Sequence, residues 1–149
     1  MKRIEIDING SVFVAELLEG KAPRTCKALL EALPLEGLEG YHYFWSGEGI
    51  QTHDAALRRM ASDARLWPDP SWADSRENAK FNGVPGEVGF YPRGGSINIT
   101  YGQARFFGPP MGVEPNYIFA RIDDTERLYT VGRTFRKEGA QRISIKLVT

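Results

Sequence analysis

The dipeptide Asn9-Gly10 lies between two runs in which apolar and polar residues alternate, and this arrangement restricts the fold more than any other feature. Residues 4–8 place three isoleucines on one face, and residues 11–17 alternate again. Asn-Gly supplies the two positive-φ residues that a type I′ turn requires, and alternation with period two is typical of a half-buried strand. The sequence therefore predicts an N-terminal β-hairpin.

The length of 149 residues suits one domain, and we expect a single domain over 1–149 with a helical insertion at 51–76. Nineteen basic and nineteen acidic residues leave a formal net charge of zero, which gives no bulk electrostatic case for nucleic acid or acidic membranes. A single cysteine, Cys26, excludes an intramolecular disulfide and a Cys-rich metal site. No stretch approaches the about 18 apolar residues of a membrane span. We expect a cytoplasmic protein without nucleic-acid or membrane partners.

The remaining pattern is one of short strands and few helices. Strands are predicted at 41–45, 87–91, 96–101, 117–122 and 143–147, and helices at 23–33, at 52–66 and after Asp124. The residues of 46–49 are read as the end of the first of these strands, and 103–116 as a long surface loop because it contains several prolines. Helices are too few to cover a parallel sheet. The sequence therefore predicts a mainly β protein, a closed or nearly closed barrel whose ends are covered by two or three short helices.

Several strings along the chain support a family resemblance. They are 22–30 (APRTCKALL), 45–48 (WSGE), 77–79 (ENA), 85–92 (PGEVGFYP), 101–102 (YG) and 116–122 (NYIFARI). Together with the order of elements, they resemble the cyclophilin-like barrel, in particular a small bacterial cyclophilin-like family of uncharacterised function. The resemblance covers nearly the whole chain and fits worst at 51–76. It implies a closed β-barrel of about eight strands.

One departure bears on activity. In cyclophilins that are prolyl isomerases, the strand after the first helix carries a Phe-His-Arg triplet whose arginine contacts the prolyl amide. The equivalent string here is Tyr41-His42-Tyr43, and a neutral phenol cannot supply the same charge-assisted hydrogen bond. The Gln-Gly-Gly-Asp-Phe stretch of the isomerases is also missing. The resemblance therefore implies the fold, and prolyl isomerase activity is the weaker alternative.

His42 and Glu48 are the candidate catalytic residues. A turn at Ser46-Gly47 would bring an imidazole and a carboxylate to one rim, where they would form an acid–base pair. The alternative is a structural histidine beside a solvated acid. Ser46 lacks the strand–nucleophile–helix context of a hydrolase elbow and is read as a turn serine. The set of His42, His53 and Glu48 matches no standard metal signature, and we expect neither a metal nor a cofactor.

Aromatic and polar residues from separate strands are the candidate ligand-binding residues. They are Tyr43, Trp45, Tyr91, Tyr101, Asn116 and Arg121. Alternate residues of a small barrel point inward, so the aromatics either fill the core or line a pocket for a small planar ligand. Alternation places Arg121 on the face of Tyr117 and Phe119, where it either anchors an anion or reaches water. Asn116 borders the 103–116 loop, which is either functional or a surface excursion.

The leading hypothesis is a bacterial barrel protein that binds a small polar or anionic metabolite. If it is an enzyme, His42 and Glu48 transfer protons in an amide or lactam hydrolase or an isomerase. The alternative is a non-catalytic binding or assembly module whose exposed Tyr and Trp contact a protein partner, with a homo-oligomer left open. Helix 52–66 is expected to face the core, with a lid or a dimer contact as its alternatives.

Overall fold

A computed structural model describes residues 2–63, 65–67, 76–108 and 112–148 of the chain. The strands within these ranges are β1 (Arg3–Ile8), β2 (Ser11–Leu17), β3 (Leu35–His42), β4 (Gly47–His53), β5 (Ala79–Lys80), β6 (Asn82–Gly83), β7 (Glu87–Tyr91), β8 (Ser96–Arg105), β9 (Phe107–Gly108), β10 (Gly112–Val113), β11 (Asn116–Ile122) and β12 (Gln141–Leu147). The helices are α1 (Pro23–Ala32), α2 (Ala55–Ala61) and α3 (Thr125–Glu138).

Eight antiparallel strands close into a barrel in the order β2, β1, β12, β3, β4, β8, β7 and β11. The closing pair is β11 with β2, where Ala120 lies opposite Leu17 and Ile122 opposite Ala15. The short β5 and β6 extend this sheet at β11 and β8, and β9 with β10 forms a separate two-stranded hairpin. Because closure leaves no free edge among the eight strands, the inward side chains form a continuous core. The predicted closed β-barrel of about eight strands is confirmed.

The N-terminal hairpin is confirmed residue by residue. Asn9 and Gly10 have φ of 48° and 98°, as a type I′ turn requires. The carboxylate of Asp7 accepts a hydrogen bond from the N–H of Gly10 at 2.7 Å. The isoleucines at 4, 6 and 8 are all buried in the core.

Each helix contributes side chains to the same core. The main core takes Leu29 from α1, Leu57 from α2, and Leu128 and Phe135 from α3. α3 begins as expected, since the carboxylate of Asp124 accepts a hydrogen bond from the N–H of Arg127. None of the helices among the described residues has the length and apolar character that crossing a bilayer requires.

Strand β4 differs from the sequence-based expectation. Its seven residues include three from the string 46–49, which reads as a turn because of its glycines. Gly49 belongs in the strand for a packing reason: a Cβ there would lie 2.0 Å from the ring of Tyr43. The expected strand at 41–45 begins earlier, at Leu35, since the glycines of 36–40 are also part of β3.

Two other boundaries were wrong. The helix expected at 52–66 is α2, which is shorter and is capped by Asp54, while Thr52 lies buried in β4 and donates to the carbonyl of Ile97. Ala64 and residues 68–75 of the expected insertion lie outside the described residues. The expected loop at 103–116 contains the end of β8, all of β9 and β10, and the first residue of β11. Residues 109–111, which carry two of its prolines, also lie outside the described part.

Candidate functional site

The polar residues that the sequence singles out lie on two faces of the barrel wall. His42 is the last residue of β3, and Tyr43 follows it with its backbone still bonded to Gly49 of β4, so their side chains point to opposite faces. Tyr43 packs with Ala104, Phe106 and Ile118 in a small cluster that is separate from the main core. His42 instead contacts Tyr101, which belongs to the main core. The candidate residues therefore form two sites, one outside the barrel and one at an open end under α3.

The first site, which we call the outer cavity, lies on the outer face of β4, β7, β8 and β11. Its lining residues are Tyr43, Ser46, Gln51, Tyr91, Asn98, Phe106, Phe107, Gly108, Glu114 and Asn116. Its volume is about 50 Å³. A space of this size holds a few water molecules or one small functional group. Three predicted ligand-binding residues, Tyr43, Tyr91 and Asn116, meet here.

Tyr43 forms a wall of the outer cavity and carries an unsatisfied hydroxyl. The side chain is 7% exposed, and its ring lies edge to face with Phe106 at a centroid distance of 6.5 Å. The hydroxyl is buried and has no hydrogen bond of acceptable geometry to any described residue, although the side chain of Thr100 lies close by. Burial raises the pKa of Tyr43, and the influence of Thr100 only partly opposes this. A buried, unpartnered hydroxyl is uncommon and calls for an explanation.

Carboxamide side chains line the opposite part of the outer cavity. Ser96 donates to the Oδ1 of Asn98 at 3.2 Å, and the Nδ2 of Asn98 donates to the Oδ1 of Asn116 at 2.5 Å. Both asparagines are buried. Gln51 faces Asn98 across the β4–β8 pair, and its side chain makes no hydrogen bond to the described residues. The chain of bonds fixes the orientation of the two asparagines and leaves amide groups available to the cavity.

One carboxylate, that of Glu114, also lies in the cavity wall. Arg93 forms an ion pair with it at 3.1 Å, and only 11% of the Glu114 side chain is exposed. The nearby phenol of Tyr91 has a raised pKa, first because of burial and second because of the charge on Glu114, while Arg93 opposes the shift. The lining residues of the cavity given above include no lysine or arginine.

The second site, which we call the α3 rim, consists of His42, Glu48, Tyr101, Tyr129 and Arg136. The Nε2 of His42 lies 2.7 Å from the hydroxyl of Tyr101 and accepts a hydrogen bond from the Nε of Arg136 at 3.2 Å. Its Nδ1 lies 3.0 Å from the backbone carbonyl of Tyr43. A guanidinium only donates and a carbonyl only accepts, so these contacts require a neutral imidazole with its proton on Nδ1.

Glu48 reaches the same rim from the start of β4. Its Oε1 accepts from the backbone N–H of Gln103 at 3.2 Å, and its Oε2 accepts from the hydroxyl of Tyr129 at 3.3 Å. The rings of Tyr101 and Tyr129 lie 5.7 Å apart, so His42 and Glu48 are connected through two phenols. α3 can lie this close because Gly132 faces Tyr101, where a Cβ would approach the ring to 2.3 Å.

The remaining candidates lie apart from both sites. Arg121 is half exposed and pairs at 3.8 Å with Glu87. Its placement differs from the expected alternation because a β-bulge lies between Ile118 and Ala120, so that Phe119 and Ala120 both face the core and Arg121 faces outward. Trp45 is 64% exposed and lines a neighbouring groove.

Among the described residues, neither Ser46 nor the set of His42, His53 and Glu48 belongs to an assembled catalytic or metal site. The hydroxyl of Ser46 accepts from the backbone N–H of Phe107 at 3.0 Å, which is a structural role. His53 stacks on Tyr41 on the outer face, away from His42 and Glu48. No group of three or more His, Cys, Asp or Glu within the described ranges could hold a metal ion.

Sequence reasoning missed several residues of both sites. In the outer cavity these are Gln51, Asn98 and Glu114, and at the α3 rim they are Tyr129 and Arg136. Asn98 occupies a polar position in the alternation of 96–101, where a side chain is expected to face solvent. The sequence therefore gives no indication that Asn98 is buried. Sequence reasoning missed Gln51 because it predicts no strand over the residues of β4.

Solved structures of other proteins share the barrel fold of this chain. A model of the family described as "Protein of unknown function (DUF3830)" matches residues 4–147. No curated protein sequence matches the chain. Among solved structures, McbB in complex with tryptophan superposes with a TM-score of 0.70 at 17% identity, covering 96% of this chain and 44% of McbB. The chain thus spans less than half the length of McbB.

Two further structures share the fold. A hypothetical protein from Archaeoglobus fulgidus, solved in solution, has a TM-score of 0.59 at 18% identity and covers 97% of this chain and 93% of its own. A cyclophilin-type peptidyl-prolyl cis-trans isomerase from Cryptosporidium parvum, crystallised in the presence of the dipeptide Ala-Pro, has a TM-score of 0.51 at 14% identity, with 99% of both chains covered. At these identities the likeness concerns the fold.

Proposed function

The chain belongs to DUF3830, a family of proteins of unknown function, and from the geometry of its outer cavity we propose that it binds a small polar metabolite there. The observation that carries the proposal is Tyr43, a lining residue of the cavity whose buried hydroxyl has no partner among the described residues. Leaving a buried donor unsatisfied costs about 1–3 kcal/mol. A ligand atom in the cavity would remove this cost.

The amide groups around the cavity support the same proposal. Gln51 and Asn116 place polar atoms in a space enclosed by aromatic rings. Apolar walls with a few convergent polar groups are typical of small-molecule sites.

Small ligands are named with two solved proteins that share the fold. McbB was solved with tryptophan, and the Cryptosporidium isomerase was crystallised in the presence of Ala-Pro. These ligands consist of one or two amino acids. They support a small-molecule site on this barrel.

The proposal is binding, and it includes no prolyl isomerisation. The resemblance places Tyr43 where the isomerases carry their arginine, and the lining residues of the outer cavity include no cationic side chain. Proton transfer by His42 and Glu48 is not included either, because both lie at the α3 rim, on the opposite face from the cavity.

Ligand-induced thermal stabilisation tests the proposal. Free amino acids, amino-acid amides and nucleobases are suitable probes, compared on the wild type and on Asn98→Leu, which removes a central amide. Asn82→Ala, at an exposed position of β6, is the matched control. We expect a probe to raise the melting temperature of the wild type and the control, but not that of Asn98→Leu. If Asn98→Leu does not fold, Tyr43→Phe takes its place. Stabilisation that is equal in all variants, or absent from the wild type, would contradict the proposal.

A protein-binding module is a second candidate function, favoured by one observation. Phe44 and Trp45 are 69% and 64% exposed, and their rings lie 5.5 Å apart. Exposed aromatic residues of this kind are enriched at interfaces. Light scattering after size exclusion tests self-association: a dimer that Trp45→Ser converts to a monomer would support the module, and a wild-type monomer would remove the homo-oligomer from consideration.

A further inference from the structure

We propose that the outer cavity selects an uncharged carboxamide group over a carboxylate or a cation. This inference rests on the proposed function and deepens it by naming the chemical class of the ligand. It follows from three features of the cavity: its hydrogen-bonding groups, its charge and its volume.

The hydrogen-bonding groups are predominantly amides and phenols. Gln51, Asn98 and Asn116 each carry both N–H donors and a carbonyl acceptor. The bond from Asn98 to Asn116 uses one donor and one acceptor and leaves the amino group of Asn116 without a partner among the described residues. A ligand amide also carries both donors and an acceptor, so it can pair with Gln51 and Asn116 simultaneously. A carboxylate could only accept, and an amidinium could only donate.

The charges around the cavity oppose an anion. Glu114 is a lining residue with little exposure, so a carboxylate nearby would meet a like charge in a poorly solvated space. Arg93, which lies beside the cavity, is already paired with Glu114 at 3.1 Å. Because that ion pair partly neutralises Glu114, it weakens both the repulsion of an anion and the attraction for a cation, so neither charge is favoured. An uncharged group is the best match.

The volume of the outer cavity limits the size of the group that can enter it. A cavity of about 50 Å³ accommodates a group of a few heavy atoms. A carboxamide has three. The rest of the ligand would lie at the mouth, against Tyr91 and the partly exposed ring of Phe107. A flat apolar body attached directly to the amide suits this arrangement.

Benzamide, benzoate and benzamidine form a matched set of probes, since they share one ring and differ in a neutral, anionic or cationic head group. Their dissociation constants are measured by calorimetry, and NMR of the side-chain amides of Gln51, Asn98 and Asn116 locates the binding. We expect benzamide to bind about tenfold more tightly than either charged analogue. The amide signals of Asn98 and Asn116 should shift on binding.

Variants separate the head-group preference from binding itself. Glu114→Gln removes the negative charge, and we expect it to bring benzoate to within a few-fold of benzamide. Asn82→Ala is the control and should retain the wild-type order of affinities for the three probes.

Tighter binding of benzoate or benzamidine than of benzamide, or equal binding of all three, would overturn the inference and leave the proposed ligand site standing. If none of the three binds at millimolar concentration and the metabolite probes also fail, both proposals are overturned. If the metabolite probes bind the cavity and benzamide does not, only the inference is overturned.

Discussion

The ring of Tyr43 lies directly over the backbone of Gly49, so closely that a Cβ on residue 49 would approach the ring carbon Cε2 to 2.0 Å. This contact connects the end of β3 to β4 and sets the position of one wall of the outer cavity. The backbone supports it, since the N–H of Tyr43 donates to the carbonyl of Gly49 at 2.9 Å. Because the ring is buried on its other sides, it has little room to move away.

We expect Gly49→Ala to destabilise the protein by about 1–3 kcal/mol, the usual cost of overpacking a well-packed region. The added methyl group must displace Tyr43, so ligand binding in the outer cavity should weaken as well. Chemical denaturation measures the first effect. Gly20→Ala is the control, since a Cβ at Gly20 meets no atom within 4 Å. Equal stability of the two variants would contradict the contact.

Tyr43→Phe tests the unpartnered hydroxyl through pH dependence. Burial raises the pKa of Tyr43 above the value near 10 expected in the unfolded chain. A raised folded pKa means that stability is fully present below about pH 10 and falls as the pH rises further, because the unfolded chain then releases its proton first. The variant should therefore lose less stability than the wild type between about pH 9 and 11. Tyr129→Phe, at an exposed tyrosine, is the comparison. At neutral pH, Tyr43→Phe should be at least as stable as the wild type, because it removes a buried hydroxyl without a partner, and a large loss would indicate that the hydroxyl has one.

Glu77→Gln tests a carboxylate that caps α1 from a distant part of the chain. Glu77 accepts from the backbone N–H of Arg24 at 2.8 Å and from that of Thr25 at 2.9 Å, and it also bonds both side chains. Burial alone raises the pKa of Glu77, but these hydrogen bonds outweigh it and lower the pKa. We expect the variant to lose about 2 kcal/mol at pH 7, as for hydrogen bonds to a charged group.

The pH dependence of this loss is the sharper measurement. A lowered pKa contributes stability that is present above the unfolded value, about 4.3, and disappears as the pH falls through the folded value. The difference between Glu77→Gln and the wild type should therefore shrink at acid pH. Glu138→Gln, at an exposed position at the end of α3, should show no such pattern. A difference that is constant with pH would count against a charged cap.

The hydrogen bonds at the α3 rim indicate one particular tautomer of His42. Its hydrogen bonds require the proton on Nδ1, facing the carbonyl of Tyr43, and a bare Nε2 facing Tyr101 and Arg136. Long-range ¹H–¹⁵N NMR correlations at neutral pH distinguish the two tautomers by their nitrogen shifts. Tyr101→Phe should shift the Nε2 signal and leave Nδ1 unchanged. A proton found on Nε2 would refute this hydrogen-bond arrangement.

Substitutions of Lys80 and Arg121 should lower the free energy of unfolding by unequal amounts, although both residues pair with the buried carboxylate of Glu87. Lys80 lies 2.6 Å from that carboxylate, while Arg121 lies 3.8 Å away and is half exposed. We expect Lys80→Gln to cost about 3 kcal/mol, since it leaves a buried charge without its nearest partner. Arg121→Gln should cost less than about 1 kcal/mol. Calorimetric titration of Arg121→Gln with benzamide should give the wild-type affinity, and a large loss would place Arg121 in the ligand site.

Local features of this chain could be predicted because their causes are local. The Asn9-Gly10 turn, the proline at the start of α1 and the Asp124 cap of α3 each act within a few residues. The order of these elements was sufficient to predict the barrel, because many short strands with few helices are compatible with few architectures. Three of the candidate residues that the sequence singled out, Tyr43, Tyr91 and Asn116, line one cavity.

The tertiary structure decided how those residues are grouped. The first three residues of β4 are typical of a turn in the sequence, because the reason for Gly49 is the ring of Tyr43, and this contact becomes visible only when β3 and β4 pair. The bulge in β11 moves Arg121 to the outer face and breaks the alternation that had placed it with Tyr117. Such a bulge arises from pairing with neighbouring strands and has no signature in the strand's own sequence.

Closure of the barrel divided one expected site into two. His42 and Tyr43 are neighbours along the chain, yet a strand directs them to opposite faces, one to the α3 rim and one to the outer cavity. The sequence by itself determined the turns, the caps and the alternation, because these depend on backbone geometry within a few residues. Only the tertiary structure decided which polar groups are buried together, because the cavity is built from strands far apart in sequence that closure brings side by side.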